Sequence, residues 1–166
     1  MAEGWAEYEW CGQTPRIGLA WAGSPHLAAD RQRSLPPQQL AALFAVPGVK
    51  FFSLHKSGPA APEHFPIMDF MAEVEDFVGT AALIANLDLV ISVDVAVAHL
   101  AAVLGKPVWL LNRFEPCWRW FAHRNDSPWY PSMRLYRQPR PGDWDTVGAN
   151  ITRDLHAFTT VSRNSL

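Results

Sequence analysis

LDLVISVDVAVAHLAAVLGKPVWLLN, residues 87–112, is the stretch whose reading decides the fold. Residues 87–93 form an apolar run with no polar alternation, which suits a strand buried on both faces of a parallel sheet. Asp94 interrupts it. Residues 95–104 then place Val97, Leu100, Ala101 and Leu104 on one helical stripe, and Gly105 follows where a helix end favours glycine. Pro107 opens a second apolar run at residues 108–111. A strand, turn, helix and strand with such short connections close right-handed into a parallel sheet. In sheets of this kind ligands gather at the carboxyl ends of strands and the amino ends of helices. Asp94 and His99 occupy that position.

The flanking sequence extends the same pattern outward. Residues 16–21 (RIGLAW) read as a first core strand, followed by Ala22-Gly23-Ser24-Pro25 and a polar loop running to Arg33. Ser34 is placed to cap a helix whose first turn takes Pro36 and Pro37 and whose apolar face is Leu40, Leu43 and Phe44. Residues 49–54 (VKFFSL) predict a second strand, with His55-Lys56-Ser57-Gly58 at its carboxyl end. A proline-rich segment, a short strand at 67–70 and a small helix at 80–86 lead into the central unit. Behind it, an aromatic loop from Arg113 to Met133 is too long to be a mere connection. Residues 134–138 predict an edge strand. Asp143 caps a last helix carrying Val147, Ile151, Leu155 and Phe158. The fold class is α/β, a Rossmann-like doubly wound parallel sheet.

Bulk properties narrow the function. The 166 residues are 49% hydrophobic and suffice for one domain with a sizeable core. A formal charge of −2 argues against nucleic acid as a partner. No apolar run is long enough for a membrane span, and the first eleven residues lack the character of a signal peptide. Cys11 and Cys117 stand far apart without metal spacing, so they read as reduced thiols of a cytoplasmic protein, and no metal or other cofactor is expected. No glycine-rich phosphate loop follows any strand.

Polar residues just past the expected strands are Ser24, with Arg31 and Arg33 further along its loop, then His55, Lys56, Asp94 and Arg113. A nearly neutral chain that gathers cations and a helix start on one sheet edge is equipped for a small anion, most naturally a phosphate or diphosphate. Each residue has a plainer role as well. Asp94 can cap its helix, His99 can be a satisfied core residue, and the arginines can be solvated charges. Trp118, Trp120 and Trp129 read first as packing residues, with a sugar or base platform as the alternative.

The runs IGLAWAGSP, DRQRSLP, FFSLHKSG and LDLVISVDVAVAHLAAVLGKPVWLL resemble the C-terminal half of glycosyltransferase family 9, the ADP-heptose:lipopolysaccharide heptosyltransferases of two-domain GT-B fold. RFEPCWRWFAHRNDSPWYPSMRLYRQ resembles the branch of that family fused behind tetratricopeptide repeats, and AEGWAEYEW resembles the tail of such a repeat. The resemblance divides the chain into a repeat-like segment at 1–14, a sugar-nucleotide-binding C-terminal GT-B domain at 15–160 and a tail at 161–166. It implies a nucleoside-diphosphate sugar as ligand. Ser24 and Arg33 would lie by the donor phosphates, Lys56 by the nucleoside, and Asp94, Val95, Ala96 and His99 by diphosphate and sugar. Val95 stands where the family has threonine, so a hydroxyl contact is gone while the backbone N–H is expected to remain. Gly79 stands where the family has aspartate.

The GT-B fold also requires an N-terminal Rossmann domain for the acceptor, and the residues before Arg16 leave no room for one. The expectation is therefore the donor half of an inverting glycosyltransferase, inactive alone. Its partner would be a separate N-terminal GT-B domain or a second copy of the chain, which would cover the aromatic loop unless the N-terminal segment folds over it. The alternatives are a nucleotide- or glycan-binding module without turnover and an aromatic-loop scaffold or dimerisation domain.

Overall fold

The computed structural model describes residues 14–26, 30–56 and 59–164. Trp5, Tyr8, Trp10 and the repeat-like segment lie outside them. Six parallel strands form one sheet: β1 (Arg16–Ala20), β2 (Lys50–Ser53), β3 (Ile67–Met68), β4 (Leu89–Val93), β5 (Val108–Asn112) and β6 (Met133–Arg137). Their spatial order, β3-β2-β1-β4-β5-β6, is that of the Rossmann fold. The chain runs outward from β1 to one edge, then returns to β4 and runs to the other, which places the switch of direction between β1 and β4.

Every residue of β4 and β5 is buried, as their unbroken apolar runs require. Leu89, Ile91, Val93, Trp109 and Leu111 face one layer, where they pack with Leu40 and Leu43 and with the long helix α5 (Trp144–Asn164) through Val147, Ile151 and Leu155. Val90, Val108 and Leu110 face the other, against Leu83 and Ile84 of α3 (Phe77–Ala85) and Ala98 and Ala101 of α4 (Ala96–Val103). Each such large aliphatic side chain contributes roughly 1.5–3 kcal/mol by leaving water. The small α4 alanines bring that helix close to the sheet.

Helix α4 ends as its sequence predicts. Gly105 adopts φ 74°, its N–H donates to Ala102 O, and the Lys106 N–H donates to Ala101 O. This pair of bonds satisfies the last carbonyls of the helix in a Schellman ending. The Lys106 ammonium then donates to the carbonyls of Ala85 and Leu87, tying the end of α3 to the start of the central strand. Asp143 caps α5, its carboxylate accepting the Thr146 N–H at 3.1 Å.

Several boundaries differ from the sequence expectation. Ser34 caps nothing: its hydroxyl donates to Asp30 and accepts from the Gly23 N–H, and the following segment starts as a 3-10 turn at Pro37–Leu40 before the short helix α2 (Ala41–Phe44). Part of the polar loop before it is a single helical turn, α1 (Asp30–Arg33). Helix α3 begins at Phe77 rather than Thr80, because Asp76 caps it by accepting the Gly79 N–H. Helix α5 runs to Asn164. The hydroxyls of Thr159 and Thr160 both donate to the His156 carbonyl, so these residues bond back along the helix instead of ending it.

At the amino edge of the sheet, the Asp88 carboxylate accepts from the backbone N–H, Nε and Nη2 of Arg16 at 2.8–3.0 Å, joining the entry to β4 with the start of β1. Burial pushes the Asp88 carboxyl upward, but the bonds and charge of Arg16 outweigh it and hold the group below its ordinary value. A depressed carboxylate pKa contributes stability above the unfolded value, near pH 4, that is lost as pH falls through the folded one. Asp88→Asn is expected to destabilise the fold by about 1–2 kcal/mol at neutral pH. In urea denaturation the deficit relative to the native chain should shrink below about pH 4; a deficit independent of pH would remove the ion pair from the account.

Candidate functional site

The loop after β1 and the turn after β4 meet at the carboxyl edge of the sheet, where strand order reverses. Between them lies a cavity of about 430 Å³. Its wall includes Ala22, Gly23 and Ser24 after β1, Arg33 of α1, Leu54, His55 and Lys56 after β2, and Val95, Ala96 and Val97 at the start of α4. Phe77 and Thr80 of α3 complete another side.

Arg33 spans the switch point. Its Nε donates to Asp30 Oδ1 at 2.9 Å, and its Nη1 donates to the Asp94 carbonyl at 3.0 Å. Among the described residues Nη2 makes no hydrogen bond, and it lies against Gly23 at the cavity wall. Asp30 is only 7% exposed. Its second oxygen accepts from Ser34, so one carboxylate organises both the arginine and the loop. Asp30 is the site residue that sequence reasoning missed. Its signal was present, an acid three residues before an arginine, but a loop reading gives that spacing no meaning; it acquires one only when residues 30–33 form a helical turn.

The start of α4 is uncapped by any side chain. Its N-cap is Val95, not Asp94. The Val95 N–H, expected to be open to a ligand, donates to Val93 O at 2.8 Å. The donors that a helix start leaves over are therefore the next amides, those of Ala96 and Val97. The Val95 side chain lines the cavity in place of a hydroxyl. Lys56 donates from its ammonium to the Val74 carbonyl while lining the cavity. His55 is buried and stacked on Trp21, ring centroids 4.3 Å apart. Burial pushes its imidazole below the ordinary value, against smaller opposing effects of Asp69, the Ala22 carbonyl and Asp30.

Asp94 and His99 stand apart from this wall. The Asp94 carboxylate turns towards α4, 3.6 Å from His99 Nε2, beyond ordinary hydrogen-bonding distance. His99 Nδ1 lies 3.0 Å from the Tyr130 hydroxyl, and Trp120 stacks on the imidazole at 5.4 Å. Burial pushes the Asp94 carboxyl upward, but the neighbouring His99 and Trp120 rings and the Arg119 guanidinium outweigh it and hold the group below its ordinary value. The structure thus brings Ser24, Arg33, Lys56, Val95 and Ala96 around one cavity, while Asp94 contributes its backbone carbonyl there and its side chain joins His99 under the aromatic loop. Arg113 is engaged by Gln32. No cluster of three or more metal-ligating acids, histidines or cysteines occurs among the described residues, and none of the described helices is long and apolar enough to cross a membrane.

A doubly wound α/β domain with an arginine-braced cleft at its switch point is the class these features define. Residues 73–111, which hold α3, β4, α4 and most of β5, match the family model of glycosyltransferase family 9 (heptosyltransferase). Solved structures share the α/β architecture of this chain. The structure of E. coli heptosyltransferase WaaC with ADP-2-deoxy-2-fluoro heptose superposes with a TM-score of 0.59 at 14% identity, over 86% of this chain and 44% of that one. A family 9 glycosyl transferase from Veillonella parvula gives 0.61 at 12% identity, over 94% and 49%. Protein FlbA of Caulobacter vibrioides is 30% identical across 92% of this chain, which spans 27% of FlbA's length.

Gly23 tests the site's construction. A Cβ there would lie 2.3 Å from Asp30 Oδ1 and 2.6 Å from Arg33 Nη2, so a side chain at this position would force one or both groups to shift. Gly23→Ala is expected to cost about 1–3 kcal/mol of stability, the usual range for overpacking a filled site. The loss should be largely relieved in Gly23→Ala/Asp30→Ala, read by urea denaturation. Full additivity of the two changes would show that the loop does not pack as described.

Proposed function

We propose that this chain is the sugar-nucleotide-binding half of a heptosyltransferase-like glycosyltransferase, and that a nucleoside diphosphate sugar binds in the switch-point cavity. The observation that carries the reading is Arg33: two of its nitrogens are anchored across the switch point, and the third is left at the cavity wall beside the start of α4. A fixed guanidinium edge next to uncapped helix amides is suited to a diphosphate, which carries charge and several acceptor oxygens. The related fold of WaaC, solved with an ADP-sugar analogue, supports the same choice of ligand.

On this reading the chemistry is displacement of the diphosphate from the anomeric carbon by an acceptor hydroxyl, with inversion. Negative charge grows on the leaving diphosphate as the glycosidic bond breaks. Arg33, Lys56 and the amides of Ala96 and Val97 offset that charge without reorganising, because their positions are set before the ligand arrives. The base that takes the acceptor proton is assigned, on this reading, to an N-terminal GT-B domain. Ser24 serves the phosphates, and Asp94 and His99 serve the sugar from beneath the aromatic loop. A module that binds nucleotide without turnover is the second reading, favoured by Val95, whose apolar side chain and occupied N–H remove two donors from the diphosphate site.

Calorimetry with ADP, UDP, GDP and their sugars decides between occupied and empty. Binding should be weak but measurable, and Arg33→Ala should weaken it by about tenfold or more, the value of one lost charge-assisted contact. Arg33→Lys should rescue little, because an ammonium cannot hold Asp30, the Asp94 carbonyl and a phosphate in one plane. No heat or NMR shift from any of these ligands at millimolar concentration would overturn the reading.

A further inference from the structure

His55 is a polar residue of the cavity wall whose hydrogen bonding the fold leaves incomplete. It follows β2, lines the cavity and is only 9% exposed. One face of its ring is covered by Trp21, and the Ala22 carbonyl draws a ring proton towards itself. Its Nε2 is buried and has no hydrogen-bond partner among the described residues. The proton therefore belongs on Nδ1, and Nε2 carries a lone pair. Burial holds the imidazole below its ordinary pKa, so the ring is neutral near pH 7 and Nε2 stays an acceptor.

A buried acceptor without a donor lowers stability. Phenylalanine would stack on Trp21 in the same space without that cost, so the fold alone gives no reason for the nitrogen. The cavity gives one. Strand order puts β2 beyond β1 on one side of the switch point, and β5 with the aromatic loop beyond β4 on the other. A nucleotide sugar whose diphosphate meets Arg33, and whose sugar lies towards Asp94 and His99, extends its nucleoside over β1 towards β2. The wall there is Leu54, His55, Met71 and Phe77. Three apolar side chains suit the flat face of a base, and a neutral acceptor among them calls for an N–H on its edge.

We propose that His55 is a specificity-determining residue of the cavity, its Nε2 accepting a hydrogen bond from an N–H on the edge of the nucleobase. The proposal rests on the sugar-nucleotide reading above and adds to it how the base is chosen. A base with an amino group at that edge completes the bonding of Nε2. A base with a carbonyl or a bare ring nitrogen there sets lone pair against lone pair and leaves both unpaired. Ribose hydroxyls offer the same kind of donor, and the test separates them from the base.

Calorimetry on the whole chain compares ADP with purine riboside diphosphate, which lacks only the amino group of the base, and with deoxy-ADP. The native chain should bind purine riboside diphosphate about threefold to tenfold more weakly than ADP, the value of one neutral hydrogen bond, and deoxy-ADP about as well as ADP. His55→Phe should bind all three alike and more weakly than the native chain binds ADP. Its urea midpoint should rise, because the ring still stacks on Trp21 and no buried acceptor remains. His55→Gln, whose amide oxygen can accept, should keep part of the preference for ADP. Equal binding of ADP and purine riboside diphosphate by the native chain, or a preference that persists in His55→Phe, would overturn the proposal and leave the sugar-nucleotide reading standing. Weakening confined to deoxy-ADP would overturn the assignment to the base in favour of the ribose. No binding of any of the three would overturn both readings together.

Discussion

The hydrogen bond from Arg33 to the Asp94 carbonyl, with the Asp30 contact behind it, is the constraint on which the cleft depends. A parallel sheet that winds outward in both directions from β1 and β4 leaves a gap where the two loops part, and nothing in the backbone ladder closes it. Arg33 closes it from the side. A hydrogen bond from a charged donor contributes roughly 1.5–3 kcal/mol, enough to hold two loops in register. Because the guanidinium is planar, fixing two of its nitrogens also fixes the direction of the third. Gly23 serves the same arrangement, since the arginine and Asp30 occupy the space a side chain would take.

The sheet makes this arrangement possible by being dry on both faces. β4 and β5 carry two polar side chains, Ser92, which returns its hydroxyl to the Val93 carbonyl, and Asn112 at the end of β5. Polar groups are displaced to the strand ends, where the chain meets water. Asp88 and Arg16 pair at the amino edge, while Arg33, Lys56 and the start of α4 collect at the carboxyl edge. The first is an ion pair that holds the fold together; the second is a set of donors with one face left over.

Asp94 illustrates how a single residue serves both cleft and loop. Its carbonyl receives Arg33 and its carboxylate faces His99, so the cavity and the aromatic loop share one backbone position. His99 in turn meets Trp120 and Tyr130 from a segment twenty to thirty residues away.

Residues 87–112 were readable because their requirements are local and repetitive: apolar runs for strands buried on both faces, a helical stripe of small residues, and glycine where the helix reverses. The caps at Asp143 and Gly105 follow from chemistry within a few residues, and so did the crowding of polar groups at one sheet edge. The choice among those groups was not legible. Whether Asp94 caps or reaches forward, and whether the Val95 N–H is open, depends on a turn that bonds back to Val93. The role of Asp30 depends on one helical turn that brings it under Arg33, and the burial of Trp120 beside an exposed Trp118 depends on where a long loop lands against α4. Sequence by itself determined the strands, the sheet they make and the edge that carries the polar residues, because periodicity and capping act over a few residues. Only the tertiary structure decided which side chain meets which, because those contacts join segments that are near in space and far apart along the chain.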